Sequence, residues 1–205
     1  VTAAPATAPA GWSDRPGIDG CRSCHGDEVD GFLAGRHGMR IAAGLPPMTP
    51  AQARLPMRTD AHGELGCASC HDDHAFDTTD ASAKACLGCH DDAHSRAWPD
   101  SPHAKLHEVE RAGDAAPGTG VSCATCHLPR VVAGRSVRVH HDQNHALRPN
   151  EKMVRPVCMQ CHGLAFSLDA LADAELVRAN FRGRPQRHVD SIEMATRESR
   201  RERSR

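Results

Sequence analysis

All ten cysteines of the chain fall into five pairs of identical spacing, and a histidine follows each pair at once. The copies are Cys21-Arg22-Ser23-Cys24-His25, Cys67-Ala68-Ser69-Cys70-His71, Cys86-Leu87-Gly88-Cys89-His90, Cys123-Ala124-Thr125-Cys126-His127 and Cys158-Met159-Gln160-Cys161-His162. This is the pattern of covalent haem attachment. Two thiols one turn apart can add to the two vinyl groups of one porphyrin, and the next residue then places an imidazole under the iron. Zinc sites use paired cysteines too, but they give an adjacent His no fixed role. A redox dithiol needs one pair, and a disulfide framework has no use for a His after every second Cys. Five covalently bound c-type haems are the expectation, with Cys21, Cys24, Cys67, Cys70, Cys86, Cys89, Cys123, Cys126, Cys158 and Cys161 as attachment points. His25, His71, His90, His127 and His162 are the proximal ligands.

Ten further histidines could close the irons from the other side. His37 and His103 hold the same place in an internal repeat: Phe32-Leu33-Ala34-Gly35-Arg36-His37 matches Trp98-Pro99-Asp100-Ser101-Pro102-His103, with an aromatic five residues before the His. His74, three residues beyond a proximal ligand, points away from its own haem and can reach a neighbour. His188 is the only spare His after the fifth motif. From His140, His141 and His145 the favoured ligand is His145. These five, His37, His74, His103, His145 and His188, are the expected distal ligands. His62 and His107 are rivals, and His94 is assigned to solvent or a propionate. Methionine ligation is disfavoured with so many histidines to hand.

The elements that must hold these groups are sparse. The chain has 205 residues, 39% hydrophobic and 3% aromatic, with four Phe, two Trp and no Tyr. Such a composition is poor material for a side-chain core. One porphyrin per about 41 residues would supply the missing apolar surface. A mostly irregular chain with short α-helices wrapped round haems, and little or no β structure, is expected. The clearest helix is 102–112, with Ser101 as N-cap, Pro102 in the first turn and Gly113 as the stop. A second falls in 167–181, capped by Ser167 or Asp173, and a third runs from about Val189 towards the tail. The prolines of 41–58 and the stretch Gly113 to Gly120 read as linkers.

The organisation follows from the repeat. Residues 1–19 form a flexible Ala/Pro/Thr spacer whose start resembles the end left by a cleaved export signal. Residues 20–82 make a two-haem module (haems 1 and 2), 83–130 a second (haems 3 and 4), and 131–205 a C-terminal haem 5 unit with a helical tail. The mixed-charge end from Arg197 to Arg205 reads as solvated. With 25 Lys and Arg against 26 Asp and Glu, a strongly basic nucleic-acid binder is excluded by bulk charge. No apolar run reaches the length of a transmembrane helix.

Three stretches carry a resemblance: Gly35-Arg36-His37-Gly38, Gly66-Cys67-Ala68-Ser69-Cys70-His71-Asp72-Asp73-His74, and Trp98-Pro99-Asp100-Ser101-Pro102-His103-Ala104. Over roughly residues 20–130 the chain resembles the periplasmic pentahaem and related multihaem c-type cytochromes, which donate electrons to nitrite reductases or feed outer-membrane conduits. Gly120-Val121-Ser122-Cys123 through Leu128-Pro129, then Asn144-His145 with Pro149, is closer to the C-terminal half of pentahaem nitrite reductases. There a His with a Pro four residues on is a distal ligand, and a His near the C-terminus ligates from a distance, which His188 could match. The resemblance implies bis-His electron transfer in the periplasm or extracellularly, between a quinol-linked donor and a terminal reductase or extracellular acceptor. Partners would be a quinol dehydrogenase or a reductase subunit, in a larger complex or a haem wire. Two departures count against catalysis: nitrite reductases of that group carry a Lys in the catalytic motif, where all five motifs here end in His, and their large helical body is missing. The competing expectation is an oxidoreductase with one open haem, acting on nitrite, hydroxylamine or a sulfur oxyanion. A haem-bearing sensor or scaffold is the weakest reading, because sensing needs fewer haems.

Overall fold

The structure, a computed structural model, describes residues 17–72 and 78–203. The early helices are α1 (Ile18–Arg22), α2 (Gly26–Ala34), α3 (Met39–Ala42), α4 (Thr79–Ser82), α5 (Lys84–Leu87), α6 (Ala93–Ala97) and α7 (Pro102–Arg111). A short helix over the fourth motif, α8 (Cys123–His127), leads into an antiparallel hairpin of β1 (Arg130–Ala133) and β2 (Ser136–Val139). Then come α9 (Asn144–Leu147), α10 (Leu164–Ala172), α11 (Ala174–Arg178) and α12 (Asp190–Arg203). Helical segments make up 52% of the described residues and β structure 5%. The chain is therefore more helical than an irregular wrap, but the helices are short, as the sequence suggests.

Capping explains the helices that carry histidines. Ser101 is fully buried, and its hydroxyl accepts from Ala104 N at 3.1 Å, which starts α7. Pro102 fits the first turn because its missing N–H has no intrahelical partner there. Gly113, at φ +83°, ends the segment in the left-handed region. Asp92 caps α6, accepting from His94 N at 3.0 Å and Ser95 N at 3.2 Å. The expected helix over 167–181 is two helices. Asp173 caps the second, accepting from Leu176 N at 3.0 Å, whereas Ser167 lies inside α10 and donates back to Gly163 O at 2.9 Å.

The hairpin was not anticipated. Its valines, Val131, Val132, Val137 and Val139, flank a two-residue turn, Gly134-Arg135, with Gly134 at φ +63° as the turn demands. Most of its residues are exposed. Burial therefore gives it little, which is why a hydrophobic-pattern reading passes over it.

The side-chain core is thin. Its buried apolar members are Val29, Phe32, Ala83, Ala104, Ala146, Met153, Val154, Ala170 and Leu176, and four of these nine are alanines. Local ties hold the Cys-x-x-Cys-His motifs in place. The segment before the third motif bridges to it, with Arg58 N on Cys89 O at 2.9 Å and Asp91 N on Pro56 O at 3.0 Å. Residues 26–36 lie against 138–144 through the Arg138–Asp27 ion pair and the bond from Arg36 Nε to Asn144 Oδ1 at 3.2 Å.

Candidate functional site

Four of the five motif histidines face a second imidazole across a gap of nearly constant width. Ring centroids lie 6.2 Å apart for His37 and His90, and 6.2 Å for His71 and His141. They lie 6.1 Å apart for His94 and His127, and 6.2 Å for His103 and His162. None of these pairs is hydrogen-bonded. Two imidazoles bound at about 2 Å on opposite sides of one metal ion have centroids about 6 Å apart. The gap is too wide for ring stacking, and the four-fold recurrence of one width matches a common spacer.

The expected ligands divide accordingly. His37 and His103 lie opposite motif histidines. His145 does not: it stacks on His140 at 3.9 Å. His188 sits on Asp169 instead of opposite His162, whose partner is His103. His74 lies outside the described residues. His94, assigned from sequence to solvent or a propionate, faces His127, and His141, passed over for His145, faces His71. Among the described residues no imidazole faces His25.

His94 and His141 share a feature that sequence alone does not display. His94 Nδ1 donates to Val177 O at 2.5 Å, and His141 Nδ1 donates to Val139 O at 3.0 Å. A carbonyl can only accept, so each bond fixes the proton on Nδ1 and leaves the lone pair on Nε2. In this structure Asn180 Nδ2 donates to that Nε2 lone pair of His94 at 3.1 Å, so ligation by His94 requires this bond to be given up. Asn180 is buried, and both Asn180 and Phe181 hold positive φ, at 49° and 57°. The strained turn lays the Phe181 ring edge-on to His94 at 6.3 Å and tilted against His103 at 5.9 Å.

The electrostatics favour neutral imidazoles. Burial, then the charge of the facing His90, pushes His37 below its ordinary value. Burial and His162 do the same to His103, and burial, His141 and His25 to His71. His127 is pushed to about 4, chiefly by burial. A metal ligand must be deprotonated, so these sites suit coordination without a proton penalty at neutral pH.

The thiols lie in the same order as the chain. Cys86 and Cys123 are hydrogen-bonded to each other; the bond, then burial, pushes Cys86 up, while for Cys123 the bond outweighs burial and holds it down. Cys70, raised to about 11 by burial, is within electrostatic reach of Cys86 and Cys89. Cys126, raised to about 12 by burial, is within reach of Cys158. His25 and His71 interact similarly. The motifs are thus contiguous in space as 1–2–3–4–5. No disulfide joins Cys21 to Cys24, Cys86 to Cys89, Cys123 to Cys126 or Cys158 to Cys161.

The residues fit a porphyrin-borne metal better than a bare ion. No group of three or more His, Cys, Asp or Glu able to hold a metal ion occurs among the described residues. Paired imidazoles supply only two ligands, and a porphyrin supplies the other four. Trp98 Nε1 is buried without a hydrogen-bond partner. Such a donor is costly unless an acceptor arrives, and a haem propionate is one. Among the described residues no helix is long and apolar enough to cross a membrane. Comparison with protein-family models, curated proteins and solved structures finds no match for the chain.

Proposed function

We propose that the chain is a pentahaem c-type cytochrome that passes electrons along a row of closely spaced, bis-His haems. The observation that carries this reading is the recurrent gap of 6.1–6.2 Å between each of four motif histidines and a second imidazole. Iron held by two imidazoles has no open position, so it changes oxidation state with little rearrangement. The porphyrin supplies the redox chemistry. The chain supplies axial ligands, burial and the carbonyls of Val139 and Val177 that hold two of those ligands in one tautomer. The contiguity of the five motifs makes the relay linear. The likeness to periplasmic multihaem cytochromes supports a place outside the cytoplasm, between a quinol-linked donor and a terminal reductase or extracellular acceptor.

A second reading attaches to haem 1. His25 has no facing imidazole among the described residues, and an iron with one free axial position can bind substrate. Haem 1 would then reduce nitrite or a sulfur oxyanion, or oxidise hydroxylamine, fed by the other four haems. Native mass spectrometry and electron paramagnetic resonance test both readings. Five added haem masses with all-low-spin ferric signals are expected for the relay. One high-spin signal, with one equivalent of CO bound after reduction, marks the open haem. The bare polypeptide mass would end both.

A further inference from the structure

The helix α12 carries its charges in a fixed order along one exposed row. None of its residues is buried, and only Ile192 and Thr196 are half-buried, which marks the side it turns to the body. Its base is anchored, because the buried Asp169 carboxylate accepts from His188 Nδ1 at 2.5 Å and from Val189 N at 2.8 Å. On the side away from Ile192, Asp190, Met194, Arg197 and Arg201 follow at i, i+4, i+7 and i+11, the spacing of a single row. The row is acidic at its start and basic at its end, with Met194, 60% exposed, between the two signs. Glu193 and Arg200 flank it and repeat the same polarity, lining with Asp190, Arg197 and Arg201 an open cleft of about 780 Å³. The carboxylates of Glu198 and Glu202 fall to one side of the row; Glu198 meets Arg201 at 3.4 Å, with both side chains exposed. An acidic first turn and a basic last turn suit the helix dipole on any face. The dipole gives no reason for gathering them into one row around an exposed methionine.

We propose that α12 pairs antiparallel with α12 of a second copy of this chain, about a two-fold axis that passes between Ala195 and Thr196. In that register Asp190 lies opposite Arg201 of the partner subunit, and Glu193 lies beside Arg197 of the partner subunit. Each contact occurs twice, since a two-fold contact is made by one patch with itself. The two Met194 side chains flank the axis, three residues or about 4.5 Å apart along it, and cover each other. The polarity of the row selects this occupant. A uniformly acidic partner would meet Asp190 and Glu193, and a uniformly basic one would meet the arginines. A parallel copy would set like charge on like. The same helix reversed satisfies both ends. Exposed ion pairs contribute little singly, and two 14-residue helices cover less than the roughly 1,200 Å² of stable complexes, so the dimer is weak and sensitive to salt. The inference goes beyond electron transfer and does not depend on any haem.

The test uses the full holoprotein in sedimentation experiments from micromolar to millimolar concentration. A monomer–dimer equilibrium is expected, weakened about ten-fold or more as salt rises from about 0.01 M to about 1 M and the screening length falls from about 30 Å to about 3 Å. Two charge-reversed variants then test the register. Asp190→Lys with Glu193→Lys makes the row basic throughout, and Arg197→Glu with Arg201→Glu makes it acidic throughout. Each alone should stay monomeric, because every reversal acts on both copies, and a mixture of the two should form a one-to-one heterodimer. Met194→Lys leaves the helix ends untouched and sets two like charges beside the axis, so it should also abolish the dimer. Circular dichroism and c-type absorbance of each variant, unchanged, show that α12 and the body are intact. A wild-type chain that stays monomeric at millimolar concentration and low salt overturns the proposal. So does dimerisation undiminished in Met194→Lys, growth beyond a dimer, or a mixture of helical reversed variants that fails to associate. The mass test of the covalent haems is separate, and neither result decides the other.

Discussion

Removing His94 separates the structure's assignment from the one that sequence favours. His94 faces His127 across 6.1 Å, whereas His145, the ligand favoured from sequence, stacks on His140. In His94→Ala the fourth haem loses its distal ligand and one of five irons becomes five-coordinate. About one fifth of the ferric haem turns high-spin, and the reduced protein binds one more equivalent of CO than the wild type. His145→Ala leaves both readouts unchanged. The substitution also has a structural cost. It removes the bond to Val177 O and the contacts from Asn180 Nδ2 to His94 Nε2 and His94 O must rearrange. At about 0.5–1.5 kcal/mol for each lost bond, and more for a buried donor left unpaired, the expected loss is about 1–3 kcal/mol. Asn180→Ala separates the two effects, since it loses the amide contacts but keeps the ligand, so it is destabilised yet stays low-spin. If His94→Ala is entirely low-spin, or if His145→Ala gains the CO equivalent instead, the facing-pair argument is wrong. The 6 Å gap would then be an accident of packing.

Three further outcomes follow from particular contacts. Ser101→Ala removes the cap of α7 and should cost about 1 kcal/mol in thermal unfolding, with a perturbed haem 5 signal because His103 lies in the first turn. Gly38→Ala places a Cβ against Phe32 O and 2.7 Å from Phe32 C; because backbone cannot swing aside, a loss of about 1–3 kcal/mol is expected, with His37 displaced and haem 3 partly high-spin. Glu110 accepts from the backbone N–H of Gly118, at 2.8 Å, and of Gly120, bonds that hold its pKa below the ordinary 4.5. A depressed carboxyl stabilises above its unfolded value and loses that effect as pH falls through the folded one. Protection of the Gly118 and Gly120 amides, relative to their intrinsic exchange, should therefore fall below about pH 4.5, and Glu110→Gln should show that reduced protection already at neutral pH.

What was legible in the sequence is what is local in the chain. Cys-x-x-Cys-His repeats within five residues, so the five motifs could be read directly. The α7 helix could be read too, because Ser101, Pro102 and Gly113 state its start and stop within thirteen positions. His37 and His103 emerged because an internal repeat gave each a second instance. His94 and His141 lie in neither repeat, and each ring is held by a backbone carbonyl that the repeat does not predict. Val177 is 83 residues beyond His94 in the chain, and no spacing rule connects them. His145 looked better than His141 from the proline that follows it. Yet the Val139 carbonyl two residues back holds His141 in the ligating tautomer, and Gly31 lets α2 approach it to 3.2 Å from a would-be Cβ.

The same contrast bears on how such a chain can fold around so little apolar material. Short capped helices set His94, His103 and His127 locally, but the partner across each gap comes from another part of the sequence. His37 meets His90, His71 meets His141 and His103 meets His162, over separations far longer than any helix here. In the polypeptide alone these encounters are held by few buried side chains, so the loop-closure entropy of each pairing is poorly opposed. An iron joining the two imidazoles would oppose it directly, acting as a cross-link between distant segments. On this argument the cofactors are the long-range contacts of the fold. Stripping axial ligation should then loosen the pairings between segments first and leave the capped helices α6 and α7 to unfold later.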